Sequence, residues 1–251
     1  MNLRLDFIKA QEPMCSEIIR TINQYGLIED GEKVAVAVSG GKDSMVLLYL
    51  LWYLNKYSYL NYQVVAMHVK TADYDTAPVA DICRQLGIEY FDLKINMERI
   101  KSSKSLCYSC SRFKRVAMWE KMEELGITKL ALGHHANDAI ETFFMNLFEH
   151  SKIESIRPKV IYNKYPLVII RPILTLPEEK IIKIFTSMKL PLIDYVCPHE
   201  EKNIRSEFRK KIGQMGELFD SKDMLSRMIK ALKQNNPEDC WVNDEIGDRV
   251  K

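Results

Sequence analysis

Six residues, SGGKDS at 39–44, follow the apolar run KVAVAV and open the helix-like stretch KDSMVLLYLLWYL. Two glycines and two hydroxyls at a strand-to-helix junction can leave backbone amides free for a phosphate. The first helical turn has unpaired N–H groups and carries the positive end of the helix dipole. The blander reading is a helix cap by Ser39, with glycines chosen for packing. A nucleoside-triphosphatase loop would need GxxxxGK[ST], but Lys42 is followed by Asp43, and Val36 stands where the leading glycine belongs. What remains is a phosphate or pyrophosphate cradle at Ser39, Gly40, Gly41, Lys42, Asp43 and Ser44.

Cysteines offer a second chemistry. Of Cys15, Cys83, Cys107, Cys110, Cys197 and Cys240, two have C-x-x-C spacing. Cys107 and Cys110 can be read as a redox pair, though no thioredoxin-like pattern surrounds them. They also suit half of a zinc site completed by Cys197 and His199, or are unrelated thiols. Cys83 falls in an amphipathic helix and reads as an inert buried thiol. A chain of 251 residues needs no disulfide staples.

Basic residues form the third cluster. Arg112, Lys114 and Arg115 follow the cysteine pair, while in KNIRSEFRKK the cations Lys202, Arg205, Arg209, Lys210 and Lys211 meet Glu207 alone. Either run alone is an ordinary solvated face; together with Lys101 and Lys104 they can surround a polyanion. The net charge of +2 says nothing by itself about nucleic acid.

These clusters need a scaffold, and the apolar pattern supplies one. Strands are expected at KVAVAV, YQVVAMHVK, IEYFDLKI, TKLALG and LVIIRP. Between them lie helices at about 42–56, 75–87, 111–126, 134–150 and 177–190, with another before the first strand at 14–25. Residues 99–110 read as irregular, and 151–166 as a loop or hairpin. Nearly continuous apolar strands alternating with helices indicate an α/β protein, a parallel sheet with helices on both faces. Ligands of such sheets bind at the carboxyl ends of the strands, where SGGKDS, MHVK and LGHHAND all fall. The expected parts are an N-terminal helical segment at 1–29, a nucleotide domain at 30–190, and a basic, mainly helical region at 191–251 carrying Cys197. Within the last, a helix at 217–232 presents Leu218, Leu225, Met228 and Leu232 to a homodimer partner or to its own core.

SGGKDS resembles the signature of the PP-loop, or N-type, ATP pyrophosphatases, whose fold is adenine nucleotide alpha hydrolase-like. LCYSCSRFKR, LALGHHANDAIETFFMNLF, IIRPI and VCPHEEKNIR extend the likeness to the tRNA 2-thiolation branch, nearest the tRNA 2-thiocytidine synthetases, over roughly residues 30–212. The resemblance implies ATP and Mg²⁺ at Ser39, Gly40, Gly41, Asp43 and Ser44. It also implies adenosine contacts at Met67, His68 and Val69, and a second nucleotide motif at Gly133, His134 and Asp138. Lys114 matches a lysine near the reacting base. Cys107, Cys110 and Cys197 match ligands of a 4Fe-4S cluster with one iron free of protein cysteine, able to bind hydrosulfide. Relatives carry GHHxDD, whereas this chain has Asn137 before Asp138, which leaves Asp138 as the expected acid.

The implied reaction is adenylation of a pyrimidine C2 oxygen, cytidine first, followed by its replacement with sulfur; Asp43, Lys114 and Asp138 are the expected catalytic side chains. A tRNA 2-thiouridine synthetase, a tRNA lysidine synthetase-like enzyme and a non-catalytic RNA-binding or redox protein are the alternatives. The implied partners are tRNA and sulfide or a persulfide donor protein. With no apolar run of about 18 residues and no signal-like N-terminus, a cytoplasmic protein away from membranes is expected.

Overall fold

The computed structural model describes residues 6–95, 106–162, 166–193, 195, 204–219, 223–234 and 245–246. In chain order these form α1 (Asp6–Gln24), β1 (Lys33–Ala37), α2 (Lys42–Tyr57), β2 (Gln63–Lys70), α3 (Ala77–Leu86) and β3 (Glu89–Lys94). There follow α4 (Leu106–Glu124), β4 (Lys129–Ala131), α5 (Ala136–His150), β5 (Lys159–Tyr162), β6 (Leu167–Ile170) and α6 (Glu178–Met188). The C-terminal part contains α7 (Ile204–Leu218), α8 (Met224–Gln234) and the short β7 (Glu245–Ile246).

The strands make one sheet in the order β3-β2-β1-β4-β6-β5-β7. β1, β2, β3, β4 and β6 are parallel, and β5, in the stretch expected as a loop or hairpin, pairs antiparallel with β6. In the central register Ala35 lies between Val65 of β2 and Leu130 of β4. The chain runs from β1 outward to β3 on one side, then crosses to β4 on the other. That reversal makes the carboxyl ends of β1 and β4 a topological switch point, where a crevice opens. SGGKDS leaves β1 there and LGHHAND leaves β4 there.

Alternation along β1 divides the core. Val34 and Val36 pack with Ile18, Ile22, Leu47, Leu51, Ile140 and Ile181, whereas Ala35 packs on the other face with Met67, Leu130, Met118 and Met122. One face is thus covered by α4 and the other by α1, α2, α5 and α6, with Phe208 and Ile212 of α7 and Ile229 and Leu232 of α8 joining the same cluster. Thr21 of α1 shares a buried hydrogen bond with Thr175, 2.9 Å, which ties the N-terminal helix to the segment after β6. Leu51 is wholly buried, so Leu51→Ala would cost about 2–5 kcal/mol and loosen α2.

Two sequence expectations change. Helix α4 begins at Leu106, so the stretch read as irregular to 110 instead carries Cys107 and Cys110 within its opening turns. The expected helix at 217–232 is broken: α7 ends at Leu218, and a new helix starts at Met224. Leu218 is 81% exposed on α7, while Leu232 is buried and Leu225 and Met228 pack on the core.

Candidate functional site

The SGGKDS loop is stiffened from inside. Ser39 N–H donates to Ser44 Oγ (3.1 Å), and that hydroxyl donates to the Gly41 carbonyl (2.9 Å). Gly41 N–H donates to Ser39 Oγ (3.3 Å). Gly40 has φ +85°, a left-handed conformation that a side chain would strain. Its carbonyl accepts the Ile193 N–H (3.1 Å), and a Cβ at Gly40 would fall 2.5 Å from the Ile193 side chain. Segment 190–193 therefore lies directly across the loop, a contact that no local pattern in the sequence indicates.

Gly133 brings the β4 end to the same place. A Cβ there would lie 3.0 Å from Asp43 C and Ser44 N, so the bare backbone of LGHHAND rests against the first turn of α2. His135 caps α5; its N–H donates to Asp138 Oδ2 (2.9 Å). The His135 ring is buried, and Nε2 stands 3.6 Å from both Asp43 Oδ1 and Asp138 Oδ2. Burial would raise the Asp138 carboxyl, but His135, the His135 N–H, His134 and Arg205 together hold it below the usual range. Lys42 Nζ bridges Asp43 Oδ1 (2.8 Å) and Glu178 Oε1 (2.7 Å). Burial pulls the ammonium down, yet its hydrogen bonds to the two carboxylates outweigh this and raise its pKa. Asn137 has a structural role, its Oδ1 accepting the Glu178 N–H (3.0 Å) at the start of α6.

The β2 end forms the third wall. Met67 is buried and its carbonyl accepts Val38 N–H (2.8 Å); Val69 is buried as well. His68 Nδ1 lies 2.6 Å from the Val38 carbonyl, which can only accept, so Nδ1 carries the proton and Nε2 accepts from Tyr74 O–H (2.9 Å). Burial pushes the His68 pKa down and keeps the ring neutral. Tyr74 in turn stacks on Tyr195, centroids 4.3 Å apart. Lys114 of α4 is close enough to act electrostatically on His68, and Cys110, one turn earlier on the same helix, is half-buried. Cys107 is the second residue of α4. Cys197, His199, Lys202, Lys101 and Lys104 lie outside the described residues.

The PP-loop domain model matches residues 12–215 of the chain. The chain is a member of the PP-loop family. It is 30% identical to the tRNA-cytidine(32) 2-sulfurtransferase of Variovorax paradoxus over 91% of this chain and 76% of that protein. With the Dichelobacter nodosus protein of the same name it shares 31% identity over 81% of this chain and 80% of the other. Among solved structures it shares its fold with the U34-tRNA thiolase NcsA of Methanococcus maripaludis, determined with its 4Fe-4S cluster. The TM-score is 0.67 at 21% identity, covering 89% of this chain and 79% of that one. The fold is thus adenine nucleotide alpha hydrolase-like, as the PP-loop resemblance implied.

Around the PP-loop the basic run behaves differently from a uniform cationic face. Arg205 turns inward to Asp138 Oδ1 (3.2 Å), and Arg209 to Glu141 Oε1 (2.6 Å). Lys210 and Lys211 remain exposed, the latter over the Phe208 ring. His134 points to Arg171, whose Nε donates to its Nδ1 (3.2 Å). Burial, then the Arg171 charge, pushes His134 down to about 4, so the ring is neutral and its other nitrogen, Nε2, carries the proton. His135, Glu178, Arg171, Tyr74 and Ile193 were not singled out from the sequence. Arg171 and Glu178 carried a faint signal: a lone arginine after four apolar strand residues, and acids in the first turn of a helix.

Proposed function

We propose that the chain is an ATP-dependent tRNA-cytidine 2-sulfurtransferase. The observation carrying this reading is the close packing of Gly133, at the start of the GHHAND segment, on the first turn of α2 at the PP-loop, with Lys114 of the cysteine-bearing helix α4 near enough to act on His68 at the β2 end. Likeness to the two sulfurtransferases supports the substrate class.

In this reading the amides of Gly40, Lys42, Asp43 and Ser44, with the Lys42 ammonium, hold the phosphates and contain the charge of departing pyrophosphate, the Ser39 and Gly41 amides being spent inside the loop. Lys42 exchanges its carboxylate partners for phosphate. Asp43 and Asp138 offer hard oxygens within 3.6 Å of one histidine nitrogen, a donor set that suits Mg²⁺, which supplies further charge neutralisation when bound. The β2 end at Met67, His68 and Val69 lies on the adenosine side, and Gly133, His134 and Asp138 line the opposite wall. The cytidine C2 oxygen attacks the α-phosphorus and pyrophosphate leaves. Sulfide then adds at C2 and AMP leaves with the oxygen, with no net change of oxidation state. Lys114, near enough to His68 to act on it electrostatically, stabilises the activated oxygen or positions phosphate.

Cys107, Cys110 and Cys197 would hold the 4Fe-4S cluster. Two of them stand three residues apart in the opening turns of α4, and thiolates suit iron–sulfur ligation. When bound, such a cluster supplies an iron without a protein thiolate, at which sulfide can be carried. Tyr195, two positions before Cys197, lies against Tyr74 at the β2 end, which supports a third ligand near this crevice. Residues 30–190 then serve ATP, while 1–29 and 191–251 complete the core and the RNA side in a cytoplasmic enzyme.

The test is anaerobic incubation of iron-reconstituted protein with ATP, sulfide and unmodified tRNA, followed by nucleoside mass spectrometry. The expected product is 2-thiocytidine with AMP and pyrophosphate. 2-Thiouridine would reassign the base, and nucleotide turnover without thiolation would overturn the reading.

A further inference from the structure

Cations on this side of the molecule fall into two groups. Lys42 has Asp43 and Glu178, Arg205 has Asp138, and Arg209 has Glu141. On the β5–β6 side the pattern stops. Among the described residues, Arg112, Lys114, Arg115, Arg157 and Arg171 have no carboxylate within ion-pair distance.

Arg171 is the most confined of these. Nε donates to neutral His134, and Nη1 donates to the Arg157 carbonyl (2.6 Å), so two edges of the fork are fixed by uncharged acceptors. Burial lowers its pKa to about 10, and Arg115 adds repulsion. Arg115 Nη1 donates to Tyr162 O–H (3.0 Å), and both Tyr162 and Arg115 are near enough to act electrostatically on Arg171, so two cations stand in one neighbourhood with no described acid between them. Two like charges drawn together in a poorly solvated place are costly unless an anion completes them. With Nε and Nη1 held, Nη2 of Arg171 has no partner among the described residues, and a guanidinium fork is suited to the paired oxygens of a phosphate.

We propose that Arg115 and Arg171, with Tyr162 between them, bind a phosphate of the RNA backbone next to the target nucleotide. The inference rests on the tRNA reading above. ATP already has the PP-loop and Lys42, on β1 and α2. The new pair is on α4, one turn and a residue beyond Cys110, and at the end of β6. It therefore positions the RNA on the cysteine side of the crevice.

The experiment is filter binding of an unmodified tRNA transcript between 50 and 200 mM salt, with wild type, Arg115→Gln and Arg171→Gln. Each variant is expected to flatten the log–log salt slope by roughly 1, so that this fourfold rise in salt costs about threefold less affinity than in wild type. ATP affinity, by calorimetry, is expected to stay unchanged. Arg171→Gln removes the donors to His134 and Arg157, so Arg115→Gln, on a helix surface, guards against a folding artefact. Unaltered slopes with normal wild-type tRNA binding would overturn this site alone. Weakened ATP binding at an unaltered slope would hand the cations to the nucleotide and also overturn it. A wild-type protein that binds no tRNA would overturn the thiolation reading as well.

Discussion

Alanine at Gly40 would test whether segment 190–193 is a working part of the phosphate loop. The added Cβ meets two costs. At φ +85° a left-handed alanine is strained by about 1–2 kcal/mol. Its Cβ would also lie 2.5 Å from Ile193 Cδ1 and Cγ1 and 2.6 Å from Cβ, an overpacking that costs about 1–3 kcal/mol. Gly40→Ala should therefore lose about 2–5 kcal/mol, a large share of a typical domain's stability. Because the loop amides must shift to relieve the contact, ATP affinity should fall too. Ile193→Gly removes all three offending atoms while keeping the N–H that bonds Gly40. In the double variant the steric part disappears and the dihedral part stays, giving a favourable coupling of about 1–3 kcal/mol between the two changes. Urea titration of the four proteins reads the stability cycle, and calorimetry with ATP reads the loop. Additive effects, within about 0.5 kcal/mol, would refute the placement of Ile193 over the loop.

His134 is held neutral in the fold down to about pH 4, while an unfolded histidine takes up its proton near 6.5. Its contribution is therefore complete above about pH 6.5 and is lost as pH falls toward 4, by at most roughly 3 kcal/mol. Urea midpoints across that range should fall less steeply in His134→Asn. Cys83 is wholly buried, and burial pushes its thiol up to about 12, so iodoacetamide at pH 8 should leave it unlabelled in the native protein and label it in urea. Mass mapping of native-state alkylation at Cys83 would contradict this. Asn137→Ala removes the acceptor at the start of α6 and should cost about 1 kcal/mol, whereas Asn137→Asp keeps an acceptor and should be tolerated. Equal losses from both would deny Asn137 that role.

Much of the scaffold is legible because its cause is local. KVAVAV and YQVVAMHVK can be satisfied only as buried strands, and the helices between them force parallel pairing. Once β1 and β4 are neighbours, SGGKDS and LGHHAND must share one end of the sheet. The start of α4 is harder to see: LCYSCSRFKR has polar residues on every side and no apolar stripe, so its helix depends on packing around Met118 and Met122 further along. The break after Leu218 is hidden for the opposite reason. Leu218, Leu225, Met228 and Leu232 keep a helical period, and periodicity alone cannot register that α7 ends at Leu218 and α8 starts anew at Met224.

The inward turn of Arg205 and Arg209 has a readable cause on a different element. Glu141 follows Ala136, Ala139 and Ile140 and precedes Phe144 in a helix whose inner face is otherwise apolar. A carboxylate on that face, 2% exposed, must find a cation or remain uncharged. Arg209 reaches it at 2.6 Å, and Arg205 spans from Asp138 to Thr142 along the same helix. Two cations of the basic run are thus consumed by α5, and Lys210 and Lys211 are left outside. The same demand is absent near Arg115 and Arg171, where no described acid stands within reach. Charge read along the chain shows where cations cluster. Which of them remain available to a phosphate depends on acids more than sixty residues away, and so on the packing of α7 against α5.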